Sequence, residues 1–235
     1  LRGTSIYSIA DIIQDIDAFT LTPFKYGLPG DSIANGSMIG LDILLQTTDA
    51  VTGKNLNQYL SEIVGNLKGK MFITGHSQGG SLAYLLTYWF ITSSGISGNF
   101  DLETYAFAGP SICNKTFKTN FFNTLPASAQ FHMVANELDA VPYFWAMYDS
   151  LTKNNIPAHV PVLYKDMLTI ASDLLKTNKI KYIQLDNIRY IGSIPPKDTL
   201  GNIHPSDTIL WYNHWVLAEH ATNNYLKLLK SAPLH

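Results

Sequence analysis

One serine in this chain stands where its neighbours could make it a nucleophile. Gly75-His76-Ser77-Gln78-Gly79 is a G-x-S-x-G sequence, preceded by the apolar run Lys70-Met71-Phe72-Ile73-Thr74 and followed by the apolar stretch Gly79 to Thr92. That order of strand, sharp turn and helix lifts a serine hydroxyl clear of a sheet edge. The backbone at such a serine is strained, and side chains two residues to either side would collide with neighbouring backbone, so glycine at 75 and 79 relieves the crowding. The helix that follows aims its N-terminal N–H groups at the site, where negative charge develops when a carbonyl is attacked. The chemistry indicated is acyl transfer through a covalent serine ester.

A neutral serine needs an imidazole within reach, itself held by a buried carboxylate. Asp139 follows the apolar run Gln130 to Ala135 and precedes Val141-Pro142, which ends a strand, so it is expected on the same sheet edge as Ser77. Asp149 and Asp186 are the substitutes. Of seven histidines, His220 lies just before the closing helical run and is the first candidate, with His214 competing and His204 and His159 behind them. Residues six apart are about 240° apart around a helix, so a continuous helix would turn only one of His214 and His220 toward the serine. His76 directly precedes Ser77 and reads as a packing and hydrogen-bonding residue pointing away from the hydroxyl. A rival serine sits in Gly30-Asp31-Ser32-Ile33, which resembles the nucleophile block of the GDSL hydrolases. That family also needs an aspartate shortly before its histidine, and Leu217 stands there relative to His220, so Ser32 reads as part of a turn.

These groups need elements to carry them. Residues 6–19 have helical periodicity, with Ile6, Ile9, Ile12, Ile13 and Ile16 on one arc, Ser8, Asp11, Gln14 and Asp15 opposite, and Asp17 at the edge of the apolar arc. Residues 22–37, with Pro23, Gly27, Pro29, Gly30, Asn35 and Gly36, read as loop. Helical patterns follow over Met38 to Thr47 and Asn55 to Leu67. Lys70 to Thr74, Thr104 to Ala108 and Gln130 to Ala135 read as buried strands, and Gly79 to Thr92 as an apolar helix. Asp166 to Leu175 reads as helix, and Ile180 to Ile191 as one or two strands or a hairpin. Ala221 to Lys230 closes as a helix with Tyr225, Leu226 and Leu229 on one side. Strands alternating with helices predict a single α/β domain over 1–235, with a largely parallel sheet covered on both faces.

Composition excludes other classes. The chain has 235 residues, 46% hydrophobic and only 14% charged, which is too apolar for disorder. Sixteen basic against eighteen acidic residues give a net charge of −2, so no field draws nucleic acid. The single cysteine, Cys113, cannot form an intrachain disulfide, and no Cys/His cluster has zinc spacing, so no metal or cofactor is implied. The longest apolar stretch, Leu82 to Ile91, is about half the length needed to cross a bilayer. The chain opens on Leu1 without a methionine, which points to a beginning that lies elsewhere.

Four blocks occur in order across residues 1 to about 145: Leu1-Arg2-Gly3-Thr4, Gly75 to Gly80, Phe107-Ala108-Gly109-Pro110 with Asn114 and Phe117, and Val134 to Pro142. Together they resemble the class 3 lipases, the fungal-lipase-like branch of the α/β-hydrolases. The resemblance implies that fold, with an N-terminal part missing here and a helical lid in residues 6–19 that would touch a lipid interface. An ordinary surface helix is the alternative for that stretch. The likeness also implies oxyanion donors at the Gln78 and Thr4 N–H groups, and a base at His220, whose spacing to Tyr225 is looser than the family's His-x-x-Tyr. The implied reaction is ester hydrolysis, of triacylglycerols first, with a phospholipase A1 or a feruloyl or other carboxyl esterase as alternatives on the same fold. An inactive lipid- or protein-binding module is the alternative of another class. Tyr143, Phe144, Trp145 and Met147 would line an acyl groove or simply fill core. Export follows from family habit, and Asn35-Gly36-Ser37 and Asn114-Lys115-Thr116 fit the glycosylation sequon. This sequence departs from the family in Gln78 for the usual leucine, Asn35-Gly36 for His-x-Gly, and a longer stretch after Asp139.

Overall fold

A computed structural model describes residues 17–64, 69–94, 100–148, 162–192 and 216–231. A short antiparallel pair, β1 (Leu21–Pro23) with β2 (Ser32–Ala34), leads straight into α1 (Asn35–Gln46). Then come α2 (Leu56–Val64), β3 (Gly69–His76), α3 (Gln78–Thr92), β4 (Phe100–Phe107), α4 (Lys115–Thr124) and β5 (Gln130–Asn136). A 3-10 turn at Val141–Tyr143, α5 (Val162–Thr177), β6 (Ile188–Ile191) and α6 (Thr222–Ser231) complete the described elements. Strands β3, β4, β5 and β6 lie side by side in that order, and each neighbouring pair is parallel. In such a sheet every carboxyl end falls on one edge, so the turns after β3 and β5 meet there.

The two faces of the sheet are covered differently. Leu102, Thr104 and Ala106 of β4 face α3, whose residues from Ala83 to Phe90 are all buried. A helix so largely apolar must be enclosed, and the Thr87 hydroxyl inside it is satisfied by the Ala83 carbonyl at 2.8 Å and by Thr104 Oγ1 at 2.6 Å. Tyr84 and Tyr88 of α3 interlock edge-on with Phe117 and Phe121 of α4, with ring centroids 5.0–6.5 Å apart. On the opposite face, Tyr225, Leu228 and Leu229 of α6 pack over Phe107, Ala108, Val134 and Ile191, at the carboxyl end only.

Several sequence expectations are corrected here. Residues 22–37 are not loop throughout: β1 and β2 pair, and α1 begins at Asn35 rather than Met38. Three-residue strands are too short to show periodicity, and this pair is held by outside contacts, the Ala34 N–H donating to the Ile112 carbonyl and Ile33 bridging Cys113. Between Ile180 and Ile191 there is one strand, the first of the expected alternatives, parallel to β5, with a single bridge from Ile183 to Cys113. The β3 strand is not buried on both faces, since Phe72 is 58% exposed and Lys70 pairs with Glu103 on that side. On α6, Tyr225 is buried but Leu226 is half exposed, and Leu228 takes its place in the core. Both sequon asparagines are engaged. Asn114 caps α4 by accepting the Phe117 N–H at 2.8 Å, and the Asn35 amide donates to Asp17 at 3.0 Å.

Asp31, beside the rival Ser32, is a buried structural carboxylate. It accepts from the Leu28 N–H and the Tyr88 hydroxyl, both at 2.7 Å, and from the Asn120 amide at 2.8 Å. Burial, with the Asp31 charge next to it, pushes the Tyr88 phenol well up. Asp31→Ala strands the buried Tyr88 hydroxyl and removes two part-buried bonds, so it is expected to lower unfolding free energy by about 2–4 kcal/mol, read as a drop in the urea midpoint at unchanged m.

Candidate active site

Between the end of β3 at His76 and the start of α3 at Gln78, Ser77 alone turns the chain. Its φ of 62° and ψ of −130° form a conformation that side-chain-bearing residues rarely adopt, at a cost of about 1–3 kcal/mol. Hydrogen bonds hold it there: the Ser77 N–H donates to the Phe107 carbonyl at 3.0 Å, and the Ser77 carbonyl accepts from Gly80 at 2.8 Å and Ser81 at 3.3 Å. The crowding expected at 75 is present, since a Cβ there would lie 1.9 Å from the Gly79 carbonyl oxygen. A second crowded position is Gly80, where a Cβ would fall 2.4 Å from the Phe107 carbonyl oxygen. These glycines let the helix start directly on the strand ends, which keeps the serine at the edge.

His220 Nε2 lies 2.8 Å from Ser77 Oγ, and its Nδ1 lies 2.7 Å from Asp139 Oδ2. The three side chains come from positions 143 and 81 residues apart in the chain. Asp139, fully buried, sits in the turn after β5, where Oδ1 accepts the Val141 N–H at 2.9 Å and Oδ2 also accepts the Tyr225 hydroxyl at 2.8 Å. An ionised carboxylate accepts only, and these three donors satisfy it without water. With Asp139 on Nδ1, the ring carries its proton there and offers the Nε2 lone pair to the serine hydroxyl. Ser77 is 3% exposed and His220 4%, so the relay works in a medium where each hydrogen bond is electrostatically stronger than in water.

Tyr225 is a residue that sequence reasoning noted for spacing but gave no role. A tyrosine in the buried stripe of a helix must find a partner for its hydroxyl, and that requirement was the available signal. Burial and the Asp139 charge push its phenol far up, so it stays a donor. Of the other predicted residues, Gln78 opens α3, with its backbone N–H at the helix N-terminus beside Ser77. Asp186 is on the surface, paired with Lys118 at 2.5 Å, and takes no part. Thr4, residues 6–16, Asp149, His159, His204 and His214 lie outside the described residues. The last three residues of the 6–19 stretch, Asp17 to Phe19, are not helical, and Ala18 is fully buried. Tyr143, Phe144 and Trp145 are buried in the core, with Trp145 edge-on to Phe19 at 5.7 Å and to Tyr148 at 6.0 Å.

His76 packs against His220, with ring centroids 4.7 Å apart, and lies 5.3 Å from the Tyr225 ring. Burial, and then the nearby His220, lower its pKa to about 4. A histidine depressed in the fold but near 6.5 when unfolded takes up its proton first in the unfolded chain. Stability therefore falls as pH drops from about 6.5 toward about 4, by at most about 3 kcal/mol, less to the extent that water reaches the partly exposed ring. His76→Phe is expected to flatten this loss, measured as a smaller difference in urea midpoint between pH 7 and pH 4.5 than the parent shows.

The family model for lipase (class 3) matches residues 1–148. Among solved structures, M37 lipase superposes with a TM-score of 0.76 at 28% identity, the match covering 97% of this chain and 67% of that one. The lipase from Rhizopus microsporus var. chinensis matches with a TM-score of 0.48 at 21% identity, over 61% of this chain and 45% of that one. Rhizomucor miehei lipase, solved as a propeptide complex, matches with a TM-score of 0.43 at 25% identity, over 61% and 42%. The chain thus spans two thirds of M37 lipase and less than half of the other two. No curated protein matches the chain in sequence. With a family model covering well over half of its length, and an α/β-hydrolase sheet beneath the serine turn, the chain belongs to the class 3 lipase family of ester hydrolases.

Proposed function

We propose that this chain cleaves the carboxylic esters of glycerolipids, triacylglycerols foremost, through an acyl-enzyme on Ser77. The observation that carries this reading is the continuous relay from Asp139 Oδ2 through both ring nitrogens of His220 to Ser77 Oγ, at 2.7 and 2.8 Å. The Ser77 hydroxyl donates to His220 Nε2 and gives up its proton as Oγ attacks the ester carbon. His220, now doubly protonated, is stabilised by Asp139, which stays ionised. The tetrahedral oxyanion falls to the Gln78 N–H, where the α3 dipole also favours negative charge, with Thr4 proposed as the second donor. Collapse breaks the bond to the alkoxide, which takes the proton from Nε2 and leaves as the alcohol. Water then repeats the sequence on the acyl-enzyme, with His220 again as the base, and releases the acid.

A buried Ser77 is consistent with a substrate delivered from an apolar phase, and the family's lipase name supports a lipid over a polar ester. Of residues 6–19, the part before Asp17 remains the proposed contact with that phase.

Ser77→Ala is expected to lower p-nitrophenyl butyrate hydrolysis by at least about a thousandfold, to abolish labelling by a fluorophosphonate probe, and to leave the thermal midpoint within a few degrees. Retained turnover removes the nucleophile assignment. An unlabelled parent chain points to the inactive binding module. Trioctanoin is expected to be cleaved faster than phosphatidylcholine or a feruloyl ester, and the reverse order would replace the triacylglycerol reading.

A further inference from the structure

Asn136 ends β5 shortly before Asp139 and is fully buried, yet the acyl-transfer steps give its amide no task. All of its hydrogen-bonding groups are spent on the Asp139 turn, on Tyr225 of α6 and on Glu219. Its carbonyl accepts the Asp139 N–H at 3.0 Å and its Oδ1 accepts the Leu138 N–H at 3.1 Å, which fixes the Asp139 turn. Its own N–H donates to the Tyr225 hydroxyl oxygen at 2.9 Å. Its Nδ2 crosses 83 residues of sequence to donate to the Glu219 carbonyl at 3.1 Å and to Glu219 Oε2 at 2.7 Å. Asn224 of α6 donates to the same carboxyl oxygen at 2.9 Å. Glu219 is the residue directly before His220. The amide has one workable orientation, because turning it over would set Oδ1 against a carbonyl and a carboxyl oxygen and Nδ2 against an N–H.

We infer that Asn136 and Glu219 form a clasp that fixes the His220 backbone relative to the Asp139 turn, and that both are positioning residues for the proton relay. This rests on the reading of Ser77 given above. The Asp139 to His220 hydrogen bond alone leaves the imidazole free to pivot about Nδ1. The position of Nε2 against Ser77 Oγ then depends on where the His220 backbone is anchored. A displacement of about 1 Å at such a contact costs on the order of a hundredfold in rate. The clasp supplies that anchor from the strand that also carries Asp139, so acid and base move as one body.

The test uses steady-state hydrolysis of p-nitrophenyl butyrate by the full chain, with kcat and KM separated. Glu219 is partly exposed, so Glu219→Ala should fold. It is expected to lower kcat about tenfold with KM unchanged. Asn136→Asp keeps the shape but faces a carboxyl with a carboxyl, and is expected to lower kcat about a hundredfold. Combining Asn136→Asp with Glu219→Gln removes the contact of carboxyl with carboxyl and leaves only the 219 carbonyl against the new carboxylate, so part of the loss should return. Generic loss of stability would not produce that recovery. Wild-type kcat in Glu219→Ala, or a double variant no better than Asn136→Asp, overturns the clasp. If Asn136→Asp does not accumulate as folded protein, Glu219→Ala decides alone. Failure of the parent chain to react with a fluorophosphonate overturns the serine reading instead and leaves a different signature.

Discussion

Parallel pairing of β3 with β4, and of β4 with β5, is the constraint on which the rest of this molecule depends. Because the strands run the same way, the turn after β3 and the turn after β5 open on one edge of the sheet. Ser77 and Asp139 sit in those turns, and β4 between them sets their separation. Phe107, the last residue of β4, gives its carbonyl to the Ser77 N–H, so the middle strand also fixes the strained backbone of Ser77. Neither turn could hold its geometry alone. The positive φ at Ser77 persists because the glycines beside it let α3 pack against the ends of β3 and β4 without a gap.

The carboxyl-terminal segment then docks on this edge as a single polar and apolar unit. Leu228 and Leu229 of α6 bury against Val134, Ile191 and Ala108, which supplies the non-directional part of the attachment. Tyr225 and Glu219 supply the directional part by hydrogen bonds with Asp139 and Asn136, and Asn224 holds the Glu219 carboxylate. His220 is thereby presented to Ser77 from a part of the chain remote in sequence. His76 fills the remaining side of the imidazole. With its pKa near 4 it stays uncharged at neutral pH, so it adds no positive charge beside the His220 ring.

Legibility in the sequence followed the strength of the local signal. The strand, serine turn and apolar helix at 70–92 could be read directly, because an apolar run bounded by glycines has few other ways to fold. Asp139 was legible from its place between a buried strand and Val141-Pro142. The pair β1 and β2 was not, since three residues carry no period and Pro23 and Gly30 read equally well as loop. The half-open face at Phe72 was also hidden, because an apolar residue on an exposed strand face looks the same in sequence as one in the core. Asn136 and Glu219 gave no local sign, as their partners lie 83 residues away.

The sequence by itself determined that Ser77 would stand on a strained turn, because a G-x-S-x-G run between a strand and a helix is a local pattern. It determined an alternating α/β chain for the same reason, since periodicity is read within each segment. It put His220 ahead of His214 as the partner of Ser77, from its place just before the closing helix, but could not bring either ring to the serine. Only the tertiary structure placed His220 on Ser77 and Asp139, through the packing of α6 on the sheet and the hydrogen bonds of Tyr225 and Asn136. Those contacts join segments far apart in the chain, and no local rule of conformation carries information across such a distance.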